Sequence, residues 1–340
     1  MSASVHLDAL PPQRVGTEPR SLTVFEKLCL ALIAIGTVLV GISLLTPGSL
    51  TEWTTWYTAP IISYGAVIAG GLGYILSAYM GTTPGIKNDG TYFSSMKNRG
   101  VWGWTAGIAF TTFYVILYWH AQALEGAVRL LDPVAYLLYR GQADQWFLYG
   151  FLYTVAVVVM GVRMLMKYRH SRYQIIRTLS VMFFQLALAF LIPNILKAFS
   201  QPEFYFTYFW PLKPEYLLPW TWGAEGTAGS GAVLFSGLTV GRAMLLWSVL
   251  MSFVAVPVLT YLYGKRWYCS WVCGCGGLAE TLGDPWRQLS DKSDKAWRVE
   301  RWSIHLVLVA VVVVTALLWG NALVGGSWLG AWAPKAKAMY

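Results

Sequence analysis

The sequence contains few charged residues. Only 12% of its 340 residues are Asp, Glu, Lys or Arg, whereas a soluble domain carries about a quarter. Hydrophobic residues make up 56% of the chain, and several apolar runs exceed the roughly 18 residues that cross a bilayer. The scarcity of charge therefore excludes an ordinary soluble domain. It predicts an all-α polytopic membrane protein, because lipid offers no partner for an exposed backbone amide.

The chain also lacks an apolar run at its N-terminus. The first 22 residues include prolines and charged residues but no apolar core, so no cleavable signal peptide is predicted. We interpret residues 1–23 as a disordered cytoplasmic arm. No internal repeat is evident, and no pair of Gly- or Pro-broken spans occupies matching halves. Together with the few charges inside the spans, this argues against a transporter.

About seven transmembrane helices are predicted, within a membrane domain of residues 24–330. They are Phe25–Leu45, Ala59–Met80, Val101–Ala123, Trp146–Met166, Leu179–Phe199, Arg242–Tyr263 and Trp302–Val324. Many of their ends carry Trp or Tyr, of which the chain has 18 and 20. Such residues form the aromatic belt at a membrane interface. Residues 331–340 follow as a short outer tail.

The distribution of basic residues predicts the orientation. With the N-terminus inside, eighteen of the 25 Lys and Arg residues fall in inner segments and seven in outer ones. Cytoplasmic loops carry the excess of basic residues, so we expect a cytoplasmic N-terminus and an outer C-terminus. The net charge of +9 is explained by these loops, and we expect no nucleic-acid partner.

The longest outer loop, residues 201–241, is rich in aromatic residues and proline. Its first part contains "PEFYFTYFWPLKPEYLLPWTWGAEG". We expect it to lie on the outer interface as a lid or docking surface, because aromatic side chains anchor at that depth. A re-entrant segment is the alternative.

Cysteine is scarce as well, yet three of the four cysteines lie in "YCSWVCGCGG", Tyr268–Gly277. The charge distribution places residues 264–301 on the cytoplasmic side, where a structural disulfide is disfavoured. If the sixth helix continues through this stretch, Cys269 and Cys273 project from one face about one turn apart. Cys275 follows one residue after Gly274.

The residues around these cysteines favour thiolates. Gly274, Gly276 and Gly277 would let the backbone curl so that amide N–H groups point at sulfur. Lys265 and Arg266 would lower the pKa of the thiols. The C-x3-C-x-C spacing matches neither the usual iron–sulfur arrays nor the usual zinc pairs. Metal binding, thiol redox chemistry and packing without metal therefore remain open from spacing alone.

The stretch "GKRWYCSWVCGCGGLAETLGDPWRQLSDKS", followed by a further span, resembles the membrane-bound polyferredoxins of the NapH/NosR-type 4Fe–4S-binding family. The stretch "QADQWFLYGFLYTVAVVVMGVRMLMKYRHSRYQIIRTLSVMFFQ" resembles a branch of it, and the resemblance covers roughly residues 24–330. It implies that Cys269, Cys273 and Cys275 hold a 4Fe–4S cluster at the cytoplasmic face. It also implies electron relay between a quinol pool or cytoplasmic donor and a redox partner protein, in a bacterial inner membrane. An electron-transfer component is expected rather than a stand-alone enzyme, and no residue is assigned a catalytic role.

Two departures from that family pattern bear on the cluster. The family's proline after the second motif cysteine is Gly274 here, and Cys275 is an extra thiol. The chain has no second motif and no C-x2-C-x2-C array, so we expect it to be truncated or split from a ferredoxin module. Only Cys29 remains as a fourth sulfur ligand in the chain, and an apolar-flanked cysteine usually packs. We therefore expect the fourth ligand to come from outside this chain.

Other candidate residues are weaker. His120 and His305 fall at opposite sides of the membrane, so a haem held by both is not predicted. His120 is either a hydrogen-bonded interfacial histidine or a proton acceptor for quinol. Arg163 is expected to snorkel to the inner boundary. Glu280 and Asp284 could cap or orient the cysteine segment.

A different class of function also fits the composition. The chain could be a non-redox membrane scaffold or assembly subunit, with the outer aromatic loop and inner basic loops as docking surfaces and with cysteines that hold no metal. Membrane lipid is a partner under either hypothesis.

Overall fold

The computed structural model describes residues 21–45, 57–80, 84–85, 101–201, 203–217, 233–235, 238–264, 266–284 and 293–323. The predicted arm of residues 1–23, apart from residues 21–23, lies outside the described residues. So do the predicted tail of residues 331–340 and residues 218–232 of the long outer loop.

The described chain is almost entirely helical. In chain order the helices are α1 (Val24–Leu45), α2 (Thr58–Met80), α3 (Val101–Trp119), α4 (Glu125–Arg129), α5 (Asp132–Tyr139), α6 (Gln145–Lys167), α7 (Arg172–Ala198), α8 (Val240–Tyr263), α9 (Trp267–Trp271), α10 (Gly274–Thr281) and α11 (Asp294–Leu323). Within α2, α7 and α8 lie the π-helical stretches Ile61–Gly65, Phe184–Leu191 and Met251–Ala255. Short 3₁₀ turns cover Ala121–Leu124 and Pro214–Leu217, and β1 (Val233–Phe235) pairs antiparallel with β2 (Leu238–Thr239).

Six helices in the described part are long and apolar enough to span a membrane, namely α1, α2, α6, α7, α8 and α11. The predicted all-α polytopic membrane protein is thereby confirmed. The third predicted span is helical over the 19 residues of α3, with a shorter apolar stretch at Gly107–Trp119. Helices α7 and α11 begin earlier than predicted, at Arg172 and Asp294, because hydropathy marks only the apolar part of a helix and not its polar first turns.

Helices α1 and α2 pack closely through small residues. A Cβ at Gly36 would lie 2.5 Å from the Ser63 carbonyl oxygen, and one at Gly70 would lie 2.6 Å from the Cys29 carbonyl oxygen. Small residues allow this approach, which is a common way for helices to associate in a membrane. Cys29 is buried, and a Cβ at Gly73 would lie 2.8 Å from its sulfur. Its packing role is the one expected of an apolar-flanked cysteine.

The segment between α3 and α6 covers one end of the bundle. Its Leu131 shares a buried apolar core with Leu148 of α6. The Ser43 hydroxyl donates to the Gly126 carbonyl at 2.8 Å, which fastens α4 to the end of α1. The Asp144 side chain caps α6 by accepting from the Phe147 amide.

The long outer loop does not stay at the surface where the structure describes it. Phe204 and Thr207 are buried, and Phe204 stacks on Tyr216 at 4.7 Å between ring centroids. The Trp210 indole N–H donates to the Thr315 hydroxyl on α11 at 3.2 Å. Residues 203–217 therefore enter the helical bundle, as in the re-entrant alternative. Their aromatic mass is buried against helices rather than spread at an interface, which corrects the expectation of an interfacial surface loop.

Candidate functional site

The helix that precedes the cysteines ends before it reaches them. Gly264 has φ 85° and Arg266 has φ 70°, and this left-handed region breaks a right-handed helix. Cys269 then lies on the short helix α9, whereas Cys273 is extended, with φ −67° and ψ 133°, just before α10. The sixth helix therefore does not continue through the cysteines, so the condition under which Cys269 and Cys273 would share one helix face is not met.

Helices α9 and α10 fold back along α7. The Ser180 hydroxyl donates to the Trp271 carbonyl at 3.0 Å. The Gln185 amide nitrogen donates to the Val272 carbonyl at 2.7 Å. Gln185 lies near the middle of α7, so these bonds hold the residue before Cys273 beside the centre of that helix.

The glycines of this segment serve close packing rather than a loose curl. Gly274, Gly276 and Gly277 are all part of α10. A Cβ at Gly276 would overlap the Cys269 carbonyl, and one at Gly277 would overlap the Val181 side chain on α7. Glycine is thus the residue that lets α10 touch both α9 and α7.

The buried thiol of the segment is Cys273, while Cys269 and Cys275 are exposed. A hydrogen bond from the Cys275 thiol, together with the Gly276 and Cys275 amide N–H groups, lowers the pKa of Cys273 although burial opposes this. The hydrogen bond that the Cys275 thiol donates to Cys273 raises the pKa of Cys275, and burial raises it further. The Gly276 and Cys275 amides lie at the start of α10, but Cys273, the N-cap residue of this helix, makes no side-chain cap hydrogen bond, so the predicted aiming of N–H groups at sulfur is met only in part.

Cys269 behaves differently from the prediction. Burial and the neighbouring Cys273 raise the pKa of its thiol, and Arg266 opposes them without prevailing. Arg266 is 77% exposed and pairs with Glu300 at 3.4 Å, so solvent and the carboxylate weaken its effect. Lys265 lies outside the described residues.

Three oxygen-bearing side chains from separate elements meet at Gly274. A Cβ there would lie 2.7 Å from Gln185 Oε1, 2.7 Å from Tyr208 Oη, and closer still to Tyr153 Oη. We call Tyr153, Gln185 and Tyr208 the oxygen cluster. Within the described residues, Tyr153 Oη and Gln185 Oε1 are buried atoms that have no hydrogen-bond partner.

A further contact joins the outer loop to the cysteine segment. The Tyr268 hydroxyl donates to the Thr207 carbonyl, and the Phe209 and Tyr268 rings lie 5.2 Å apart. The loop and the cysteine segment therefore meet inside the bundle. Sequence reasoning missed this because the contact joins segments roughly sixty residues apart without any shared motif.

A buried ion cluster fixes the far end of α10. Asp284 Oδ2 lies 3.0 Å from Arg163 Nη1 and 2.7 Å from Lys167 Nζ, and Arg163 Nε donates to Tyr79 Oη at 2.9 Å. The Arg163 side chain is 3% exposed, so its expected snorkelling to the boundary is wrong. It binds a carboxylate instead. Burial opposes ionisation, but Lys167 and Arg163 hold the pKa of Asp284 below its usual value.

Asp284 thus orients the cysteine segment, as one of the sequence interpretations held. Glu280 assists it, because its carboxylate pairs with Arg177 on α7. The candidate histidines lie elsewhere. His120 follows the end of α3 and His305 is on α11, and both side chains are exposed.

Three sulfur atoms in one segment are the donor chemistry that iron–sulfur clusters take. The thiols of Cys269, Cys273 and Cys275 interact electrostatically with one another. The described residues nevertheless bring together no group of three or more His, Cys, Asp and Glu side chains as a metal site. By their chemistry the three sulfur donors still suit an iron–sulfur cluster.

Comparison with known proteins bears on this segment. No curated protein and no solved structure matches the chain. Residues 245–299 match the family model of a 4Fe–4S binding domain, from within α8 through α9 and α10 to the first turns of α11. The match includes Cys269, Cys273 and Cys275. It supports an iron–sulfur family for this integral membrane protein and suggests iron–sulfur electron transfer.

Proposed function

We propose that this protein is a membrane electron-transfer component of the NapH/NosR polyferredoxin type, in which Cys269, Cys273 and Cys275 hold a 4Fe–4S cluster. The observation that carries the proposal is the coincidence of two findings. The 4Fe–4S family match covers all three cysteines, and the fold places the buried one, Cys273, directly before the first residue of α10, where backbone N–H groups lack helical partners. Such a cluster, when bound, supplies one-electron transfer, so the protein needs no bond-making residue.

The role of the chain is to hold and tune the sulfur ligands. Helix α8 ends at the break near Gly264 and Arg266, so Cys269 lies on α9, whereas Cys273 and Cys275 lie at the start of α10. A cluster would therefore be held by two separate elements. Because Cys273 directly precedes α10, the unpaired backbone N–H groups at the start of this helix would compensate negative charge on its sulfur.

The position of the segment suits a relay. Gly274 lies against Tyr153 and Gln185, which are near the middle of α6 and α7, and residues 203–217 approach the same place. Electrons arriving from quinol or a cytoplasmic donor would thus cross part of the bundle to reach the site. A redox partner protein, or a ferredoxin module outside this sequence, would receive or deliver them and supply the fourth ligand.

The same proposal includes a location. The excess of basic residues in the inner segments favours an N-inside topology, and the protein would reside in a bacterial inner membrane. The reducing cytoplasm would then keep the thiols free for iron.

The test is metal analysis of the full chain purified without oxygen from cells with intact cluster assembly, in the presence of a small thiol that can take the place of the fourth ligand from outside the chain. We expect iron and acid-labile sulfide in comparable amounts, and a paramagnetic resonance signal after reduction with dithionite. Replacing Cys269, Cys273 and Cys275 together by serine should abolish both, because oxygen is a poor substitute for thiolate.

The matched control is Cys29→Ser, which alters a buried cysteine in the α1–α2 contact. This variant should retain wild-type iron and sulfide. Metal-free wild-type protein, or a triple variant that keeps its iron, would contradict the proposal.

A further inference from the structure

We propose that the oxygen cluster of Tyr153, Gln185 and Tyr208 is the hydrogen-bonding wall of the cofactor site. The Tyr153 and Tyr208 hydroxyls donate hydrogen bonds to the cysteine sulfurs and so raise the reduction potential of the bound cluster. Gln185 positions the cysteine segment through the Val272 carbonyl. The inference rests on the proposed function and names residues outside the matched domain, since Tyr153 is on α6, Gln185 on α7 and Tyr208 in the re-entrant loop.

The first observation is convergence on one backbone atom. The oxygens of all three side chains crowd the position that a Cβ of Gly274 would take, and Gly274 separates Cys273 from Cys275. Any residue other than glycine would place its Cβ among these oxygens. Glycine at this position thus lets the three oxygens lie directly against the backbone between two of the three cysteines.

The second observation is that hydrogen-bonding capacity there is unused. Gln185 is fully buried and its amide nitrogen is occupied by the Val272 carbonyl. Its Oε1 and the hydroxyl of Tyr153 have no partner among the described residues. A buried polar group left unpaired costs about 1–3 kcal/mol. The Tyr153 hydroxyl can donate, so its lack of a partner beside the cysteines indicates that a hydrogen-bond acceptor occupies this place in the working protein.

The third observation is the electrostatic link to sulfur. Tyr153 and Tyr208 each interact with both Cys273 and Cys275. A phenol O–H can donate a hydrogen bond to a thiolate sulfur. Donors to the sulfurs stabilise the more negative, reduced state of a cluster, so they make its potential more positive.

The experiment compares Tyr153→Phe, Tyr208→Phe and the double variant with the wild-type full chain, purified without oxygen. Phenylalanine keeps each ring and removes only the hydroxyl. We expect unchanged iron and sulfide and a midpoint potential, followed by paramagnetic resonance, that moves to more negative values. The double variant should change the reduction equilibrium at least tenfold, which is about 59 mV for one electron.

Tyr118→Phe is the matched control. Tyr118 is exposed on α3 and its ring packs against Trp146, away from the oxygen cluster. This variant should leave the midpoint potential unchanged.

The iron and sulfide content of the wild-type protein distinguishes a failure of the proposed function from a failure of this inference. Wild-type protein without iron and sulfide would overturn the proposed function and this inference together. Loaded protein whose midpoint is the same in the wild type, both single variants and the double variant would overturn this inference alone.

A second measurement covers loss of folding in the variants. Global replacement of tyrosine by 3-fluorotyrosine keeps every ring and makes each hydroxyl a stronger donor. We expect the midpoint of the loaded wild-type chain to move to more positive values. An unchanged midpoint there would also overturn the inference.

Discussion

The carboxylate of Asp284 ties the cysteine segment to the bundle. It accepts from both Arg163 and Lys167, and all three side chains are at most 7% exposed. Removing one member of such a buried cluster leaves the others charged and uncompensated, which costs about 3–5 kcal/mol. Replacing Asp284 by Asn should therefore lower the unfolding temperature in detergent strongly, as measured by loss of helical circular dichroism.

Glu280→Gln is the control for that variant. Glu280 also pairs with an arginine of the bundle, but its side chain is 26% exposed, and pairs with access to solvent contribute less, about 0–1 kcal/mol. If the Asp284→Asn variant lost no more stability than the Glu280→Gln variant, the buried ion cluster would not be what ties the cysteine segment to the bundle.

The same residue predicts a pH dependence. Because the pKa of Asp284 is lower in the folded than in the unfolded chain, its contribution is complete above the unfolded value of about 3.9. It is lost as pH falls through the folded value. The stability difference between wild type and the Asp284→Asn variant should thus be constant from pH 7 to about 5 and should narrow below that.

At this scale the sequence identifies residues that share a motif and misses those that meet through the fold. The spacing of Cys269, Cys273 and Cys275 is visible in ten letters of sequence. The partner of Arg163 lies 121 positions away, so the local sequence favours snorkelling and gives no sign of the buried ion pair. The oxygen cluster cannot be found in the sequence for the same reason. Each of its three residues comes from a different element, and none of them belongs to a motif.

At the scale of elements, the contact between α9 and α10 decides where the cysteines lie. The Gly276 Cα faces the Cys269 carbonyl so closely that no Cβ fits. Replacing Gly276 by Ala should force the two helices apart, at a cost of about 1–3 kcal/mol for overpacking. We expect less iron per chain, because Cys269 and Cys273 are carried on the two separated elements.

Gly41→Ala tests whether that effect is specific. Gly41 lies in α1 with no atom within 4 Å of its would-be Cβ, and alanine is about 1 kcal/mol more favourable than glycine in a helix. The Gly41→Ala variant should keep its iron and unfold at the same or a higher temperature. Equal iron loss in both variants would show that packing of α9 on α10 is not the cause.

The same elements show why boundaries predicted from hydropathy succeed in one place and fail in another. The end of α8 at Tyr263 agrees with the predicted span, since an apolar run stops there. Nothing in the apolar pattern signals that Arg266 is left-handed or that a new helix begins at Trp267. The contact that holds the end of α9, from the Ser180 hydroxyl of α7 to the Trp271 carbonyl, joins distant segments and is equally invisible in that pattern.

At the scale of the whole molecule, hydropathy predicts the long helices well, because a lipid environment requires every spanning segment to satisfy its own backbone. It cannot place residues 203–217, which are aromatic enough for either an interface or a buried position. The structure buries Phe204 and Thr207. Their contacts with the cysteine segment, through Tyr268, are a property of the assembled bundle.

The orientation of the whole molecule follows from charge and can be tested at the two ends of α6. Gln142 precedes this helix and His170 follows it, and both side chains are exposed. In right-side-out vesicles, an impermeant maleimide should label a Gln142→Cys variant above the parental background. A His170→Cys variant should be labelled only after permeabilisation, because basic loops stay on the cytoplasmic side. The reverse labelling pattern would place the buried ion cluster of Asp284 and the cysteine segment next to it on the outer side of the membrane. Thiols oxidise there, so assembly of an iron–sulfur cluster on this chain would lose its physical basis.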